Sequence, residues 1–215
     1  MKVYKFGGTS VGTVERMKHV AELISESATK IVVLSATAGT TNHLEEIAAN
    51  LFSRDIEQAH EKITRLEFQF IDFANELLTD ESIKREAIDY ILDRFQRLWQ
   101  FINDEFTSVE EKEVLAQGEL ISTALLHFYL RERKIANILL SAFDFMRTGT
   151  EGEPDLKYIE EKLQAQLAQY PGINLFITQG YICKNAYNET GWQRLYGITH
   201  RSRYPRRGNT DMDGH

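Results

Sequence analysis

Cysteine is nearly absent from this chain: Cys183 is the single one in 215 residues. No internal disulfide can form, and a reducing cytoplasm is the expected setting. Proline is scarce too, with three in all. None falls between residues 56 and 131, which leaves that stretch free to run as long helices. No apolar run reaches the ~18 residues of a membrane helix, and the N-terminus carries no apolar signal segment, so neither export nor a membrane span is expected. Positive charge is in deficit. The 25 Lys and Arg against 32 Asp and Glu leave a formal net charge of −7, which disfavours a general nucleic-acid or anionic-membrane surface. Hydrophobic residues are not lacking. At 42% they suffice for a core in one large domain or two small ones.

The apolar positions predict an alternation of strands and helices. Residues 2–7 read as a short buried strand. Residues 13–27 carry Val14, Met17, Val20, Ala21 and Ile24 at helical spacing. Lys30 to Ser35 is a β-branched run, as in a parallel strand buried on both faces. A helix is expected over about 43–53. Residues 56–131 hold one glycine, Gly118, and wide amphipathic stripes such as Leu66, Phe68, Phe70, Ile71, Phe73 and Leu77, read as packing surfaces of several long helices. Strand character returns at Ile135–Leu140, helix from Pro154–Asp155 to about 169, and strand at Asn174–Ile182. Strands alternating with helices imply an α/β fold with a mainly parallel sheet and a mostly helical insertion.

Two turns follow successive strands. The first is Lys5-Phe6-Gly7-Gly8-Thr9-Ser10-Val11 and the second runs from Ser35 to Asn42. Ligands of parallel sheets sit at the carboxyl ends of strands. Gly7 and Gly8 lack a Cβ and let backbone approach an anion. The amides of a following helix start favour that anion, Lys5 adds a positive charge, and Thr9 and Ser10 add hydroxyls. The pattern is neither a Walker loop nor a dinucleotide fingerprint. Read alone, it is also compatible with a plain strand-to-helix connection.

These two turns, together with Ala116-Gln117-Gly118-Glu119-Leu120-Ile121-Ser122, resemble aspartate kinase of the amino-acid kinase superfamily. The resemblance covers residues 1 to about 190. The long helical insertion and Asp144-Phe145-Met146-Arg147-Thr148 are similar to the single-function form. It implies a three-layer αβα sandwich. It also implies transfer of the γ-phosphoryl of ATP to the β-carboxylate of L-aspartate, the first step towards lysine, threonine and methionine. In such an enzyme Lys5 would neutralise the transferring phosphoryl group, and Lys5, Phe6, Gly7, Gly8, Thr9 and Ser10 would bind the ATP phosphates. Mg²⁺ would bridge those phosphates. Thr41 and Glu119 would bind aspartate, the hydroxyl orienting a carboxylate and the carboxylate holding the ammonium. On composition alone Glu119 would be a solvated helix carboxylate. The resemblance further implies a cytoplasmic, homo-oligomeric whole enzyme with C-terminal regulatory ACT domains, which this chain does not show. Glutamate and acetylglutamate kinases are the neighbouring alternatives, and a ligand-binding fragment without turnover is the alternative of another class. Arg147 is either an anion contact or a loop salt bridge. Ser35 and Thr37 are candidates for capping the next helix. His43 reads as a surface residue without a metal-spaced partner, and Cys183 as a core residue.

After Thr190 the family expects Gly-Arg-Gly-Gly-Ser-Asp-Tyr-Thr, which supplies a substrate arginine and an aspartate at the transfer site. The chain instead reads GWQRLYGITHRSRYPRRGNTDMDGH. It carries five arginines, Arg194, Arg201, Arg203, Arg206 and Arg207, with no lysine, alanine or valine. Regrouping codons by one frame turns Trp192–Gln193 into glycine and Met212–Asp213 into tryptophan, whatever synonyms are used. Suitable codons elsewhere yield GGSDYTASLIGAAIRAEEIQIWTD, the continuation the family expects. Residues 191–215 are therefore expected to be an out-of-frame, poorly ordered tail. Residues 1–190 are then the N-terminal part of a catalytic domain, with an exposed sheet edge and little or no kinase activity.

Overall fold

The computed structural model describes residues 1–149, 152–185 and 188–194. Its main sheet has four parallel strands in the order β1 (Lys2–Phe6), β2 (Lys30–Leu34), β5 (Leu175–Gln179), β3 (Ile138–Leu139). A smaller sheet joins β4 (Arg147–Thr148), β6 (Ile182–Asn185) and β7 (Asn188–Arg194), with β6 and β7 antiparallel. Strand β7 runs four residues into the expected out-of-frame segment, and the rest of that segment lies outside the described residues.

Helices cover both faces of the main sheet. Val32, Leu34, Leu175 and Ile177 point into a core built with α1 (Val14–Ile24), α2 (Thr40–Ser53), α3 (Ile56–Leu77), α4 (Glu81–Gln100) and α5 (Ser108–Glu132). Ile31 and Phe176, alternate residues on the same strands, point the other way onto Ile159, Leu163 and Leu167 of α7 (Leu156–Ala168). The result is the αβα layering that the family resemblance implies, around the parallel sheet expected from the alternation. A short helix, α6 (Ala142–Phe145), links β3 to β4.

Local chemistry sets the helix starts. Thr13, Asp55, Asp80, Thr107 and Asp155 each accept a first-turn amide with their side chains, and Thr107 with Glu110 forms a reciprocal capping box. At the C-terminal end of α1, wholly buried Lys30 donates Nζ to the Ile24 and Glu26 carbonyls at 2.9 and 2.7 Å. A cation there answers the negative end of the helix.

Several sequence expectations are corrected. β1 is an edge strand rather than a buried one: it pairs with β2 alone among the described residues, and Val3 is 65% exposed. The helix after β2 starts at Thr40, not 43, which draws Thr41 into its first turn. The strand expected over 135–140 shortens to two residues, because the Asn137 side chain turns back to the Ile135 carbonyl and to His127. The run 174–182 breaks at Gly180–Tyr181, where Tyr181 takes a left-handed φ of 61°. Phe68 is not a packing residue but 61% exposed, whereas Phe70, Phe95 and Phe101 are buried.

The helical insertion divides by role. α2, α3, α4 and α5 pack in series, but α5 also contacts β2, β3 and β5 and is buried without interruption from Glu113 to Leu126. A helix buried all round belongs to the core layer, so the polar residues it carries inward are placed there by the fold.

Candidate active site

Three segments distant in sequence meet at the carboxyl ends of β1 and β2. The first leaves β1 through extended Gly7 (φ −79°, ψ 170°) into a 3-10 turn, Gly8–Val11, closed by the Ser10 amide on the Gly7 carbonyl at 2.9 Å. The second leaves β2, and its Ser35 amide donates to the Phe6 carbonyl at 3.1 Å. A Cβ on Gly8 would stand 2.7 Å from the Ala36 carbonyl oxygen, whereas a Cβ on Gly7 would meet nothing within 4 Å. The two glycines therefore serve different ends. Gly8 lets the loops touch; Gly7 leaves open space beside the turn, where a ligand can approach backbone.

The third segment is the middle of α5. A Cβ on Gly118 would stand 2.7 Å from the Ala36 Cβ and 3.1 Å from Thr40 Cγ2, so the helix backbone lies directly on the second turn. One residue on, Glu119 is 1% exposed, not the solvated carboxylate that its residue type suggests. Ser122 Oγ donates to the Ser35 carbonyl at 2.8 Å, a second tie between α5 and the turn. Thr41, half-buried, stands in the first turn of α2. The Thr37 and Thr40 hydroxyls share a hydrogen bond of 2.6 Å. Neither Ser35 nor Thr37 caps α2, which begins at left-handed Gly39 with no side-chain cap.

Lys5 extends from β1 on the face it shares with Val33 and Thr178, its register neighbours across β2 and β5. Its Nζ donates to the Tyr181 hydroxyl at 3.2 Å. Thr9 is exposed, and its carbonyl accepts Arg16 Nη1 at 2.8 Å. The Phe6 side chain packs against the main core, so only its backbone borders the turn.

Sequence reasoning assigned no role to Gln179 or Tyr181. Gln179 is buried, donates Nε2 to Thr123 Oγ1 at 3.0 Å and accepts the Ala142 amide at 2.9 Å, tying β5 to α5 and α6. The available signal was their position at the end of an apolar strand.

The remaining candidates are structural. Arg147 takes the salt-bridge alternative: it pairs with Asp155, Nε to Oδ2 at 3.1 Å, and lies over the Tyr158 ring. The Arg147 guanidinium in turn holds the Asp155 carboxyl below its usual range. His43 is exposed. Cys183 is buried, and burial pushes its thiol up to about 11, which keeps it protonated and non-nucleophilic at neutral pH. Among the described residues no group of three or more His, Cys, Asp or Glu is placed to hold a metal ion, and no helix is long and apolar enough to cross a membrane. Two clefts, of about 460 Å³ beside His127, Arg131 and Asn137 and about 260 Å³ beside His43, Lys62 and Arg65, share no lining residue with the three converging segments.

Comparison with known proteins shows the family and the fold. Residues 1–212 match the amino acid kinase family. The chain is 32% identical to the lysine-sensitive aspartokinase 3 of Escherichia coli over 184 residues, 84% of this chain and 40% of that protein. It is 31% identical to an aspartokinase of Chlamydia trachomatis over 172 residues, 74% of this chain and 35% of that one. The fold superimposes on E. coli aspartokinase III, solved with lysine and aspartate and again with aspartate and ADP, at a TM-score of 0.76 and 28% identity. That match covers 91% of this chain and 43% of the other. The chain thus spans less than half the length of these relatives, and it belongs to the amino acid kinase family.

Proposed function

We propose that these residues are the phosphate- and substrate-holding part of an aspartate kinase, which transfers the γ-phosphoryl of ATP to the β-carboxylate of L-aspartate and yields 4-phospho-L-aspartate and ADP. One observation supports the reading: the missing side chains of Gly8 and Gly118 let the turn after β1 and the middle of α5, which carries Glu119, both lie against Ala36. A carboxylate oxygen attacks the γ-phosphorus while the bond to the β,γ-bridging oxygen breaks. The nucleophile is already ionised, so the reaction needs alignment of two anions and neutralisation of their charge rather than a base. Lys5 supplies positive charge to the phosphoryl oxygens. The backbone at Gly7 and Gly8 and the Thr9 and Ser10 hydroxyls supply hydrogen bonds. Thr41 orients a substrate carboxylate, and Glu119 holds the α-ammonium. Mg²⁺ carried by the nucleotide would add charge neutralisation at the phosphates that Lys5 and the Gly7–Gly8 backbone would hold.

A second reading rests on the missing Gly-Arg-Gly-Gly-Ser-Asp segment after Thr190. Taken literally, the chain is then a ligand-binding fragment without turnover, and residues 191–215 are an out-of-frame tail. Measuring ADP release with L-aspartate separates the readings, using the chain as it stands and a version with the frame restored after Thr190. Turnover is expected only in the restored protein. Turnover by the literal chain would remove the out-of-frame reading, and a restored protein that prefers glutamate would remove aspartate as substrate.

A further inference from the structure

Tyr181 combines a costly backbone with a polar contact at the candidate site. Its φ of 61° is left-handed, a conformation that side chains with a Cβ rarely adopt. It follows Gly180, whose amide donates to the Leu34 carbonyl at 2.8 Å and where a Cβ would stand 3.3 Å from that same oxygen. Strand β5 is therefore held to β2 up to residue 180, and the chain turns sharply one residue later to begin β6. The turn throws the Tyr181 ring back across the sheet end to Lys5 on the edge strand, 176 residues away. Lys5 Nζ lies 3.2 Å from the phenol oxygen and 4.6 Å from the ring centroid. The ammonium thus sits beside the hydroxyl rather than over the ring centre, and the hydrogen bond is the stronger restraint.

We propose that Tyr181 is a positioning residue for Lys5: its phenol holds the Lys5 ammonium at the mouth of the Gly7–Gly8 turn. This rests on the reading of that turn as a phosphate cradle. A lysine on an exposed edge strand has four rotatable side-chain bonds and a solvated head group. Among the described residues no other hydrogen bond or ion pair ties the Lys5 side chain down, and the Tyr181 contact removes that freedom before ligand arrives. The ammonium has three donors. One goes to Tyr181, and two stay available to phosphate oxygens.

The test has a ligand-free arm and a binding arm, both on the full chain. In the first, selective ¹³C labelling follows the Lys5 ε-methylene by NMR. Its resonance is expected to be displaced by the Tyr181 ring current and to return to the position of a free lysine in Tyr181→Leu. An undisplaced resonance that does not move in the variant overturns the proposal, whatever the protein binds. In the second arm MgATP affinity is measured for Tyr181→Phe, Lys5→Ala and the double variant. Tyr181→Phe is expected to weaken binding about threefold to tenfold, with no further loss when combined with Lys5→Ala. Additive losses would mean that Tyr181 acts independently of Lys5 and would overturn the proposal. If the parent chain does not bind MgATP while the ligand-free arm holds, the phosphate-cradle reading fails and the Lys5–Tyr181 contact stands.

Discussion

Gly118 and Ala36 touch where a side chain on the first would collide with the side chain of the second, at 2.7 Å between Cβ positions. That contact brings α5 onto the turn after β2 and carries Glu119 to the same place. Ala36 has no flexible tail that could move aside. Gly118→Ala gains about 0.5–1 kcal/mol of helix propensity, but overpacking costs about 1–3 kcal/mol. The net is a loss, read as a melting temperature lowered by several degrees at about 2–4 °C per kcal/mol for a chain of this size. A rise in melting temperature would show that α5 is not held against Ala36.

Gly7 and Gly8 should respond differently to alanine. Gly7 has negative φ and open space at its Cβ position, so Gly7→Ala is expected to melt with the parent while binding MgATP at least tenfold more weakly, since the new methyl stands where phosphate approaches. Gly8→Ala forces its Cβ onto the Ala36 carbonyl at 2.7 Å and is expected to lose both stability and binding. Unfolding curves and nucleotide titration on the two variants check this, and an unaltered affinity in Gly7→Ala would place the phosphates elsewhere.

Lys5→Ala in the frame-restored protein is expected to lower turnover far more than the affinity for aspartate, because the charge acts on the phosphoryl group as it transfers. Steady-state kinetics with varied aspartate decide the matter. Equal turnover would remove Lys5 from the transfer step.

His127 is expected to make stability fall in acid. It is half-buried on α5 with Nδ1 2.7 Å from Asn137 Oδ1, and burial lowers its pKa below the ordinary 6.5. The unfolded chain then takes up the proton first as pH falls. The stabilising effect of neutral His127 is therefore complete above about pH 6.5 and drains away below it. Melting temperatures between pH 8 and 5 should decline on the acid side, and His127→Gln should flatten that decline. An identical slope in the variant would assign the acid sensitivity to other groups.

Much of the fold is legible along the chain because burial leaves a periodic trace. Val14, Met17, Val20, Ala21 and Ile24 form the buried stripe of α1, and the run Lys30–Leu34 forms a strand covered on both faces. The strand expected at 2–7 exists, yet its apolar residues did not reveal that β1 sits at the sheet edge, since order within a sheet is set by partners distant in sequence. The break at Gly180–Tyr181 was equally hidden: Asn174–Ile182 reads as one apolar run, and left-handed Tyr181, one residue after the hydrogen bond from Gly180 to Leu34, turns the chain there.

The sequence by itself determined the alternation of strands and helices, the two hydroxyl-rich turns and the identity of the motifs, because each depends on residues near one another in the chain. The tertiary structure decided which of those residues share a site. Gly8, Ala36 and Gly118 meet because each lacks the bulk to keep the others away. Glu119 is buried because α5 is a core helix, Arg147 is committed to Asp155, and Lys5 finds Tyr181 across 176 residues. Such contacts depend on packing between distant segments, which no local periodicity encodes.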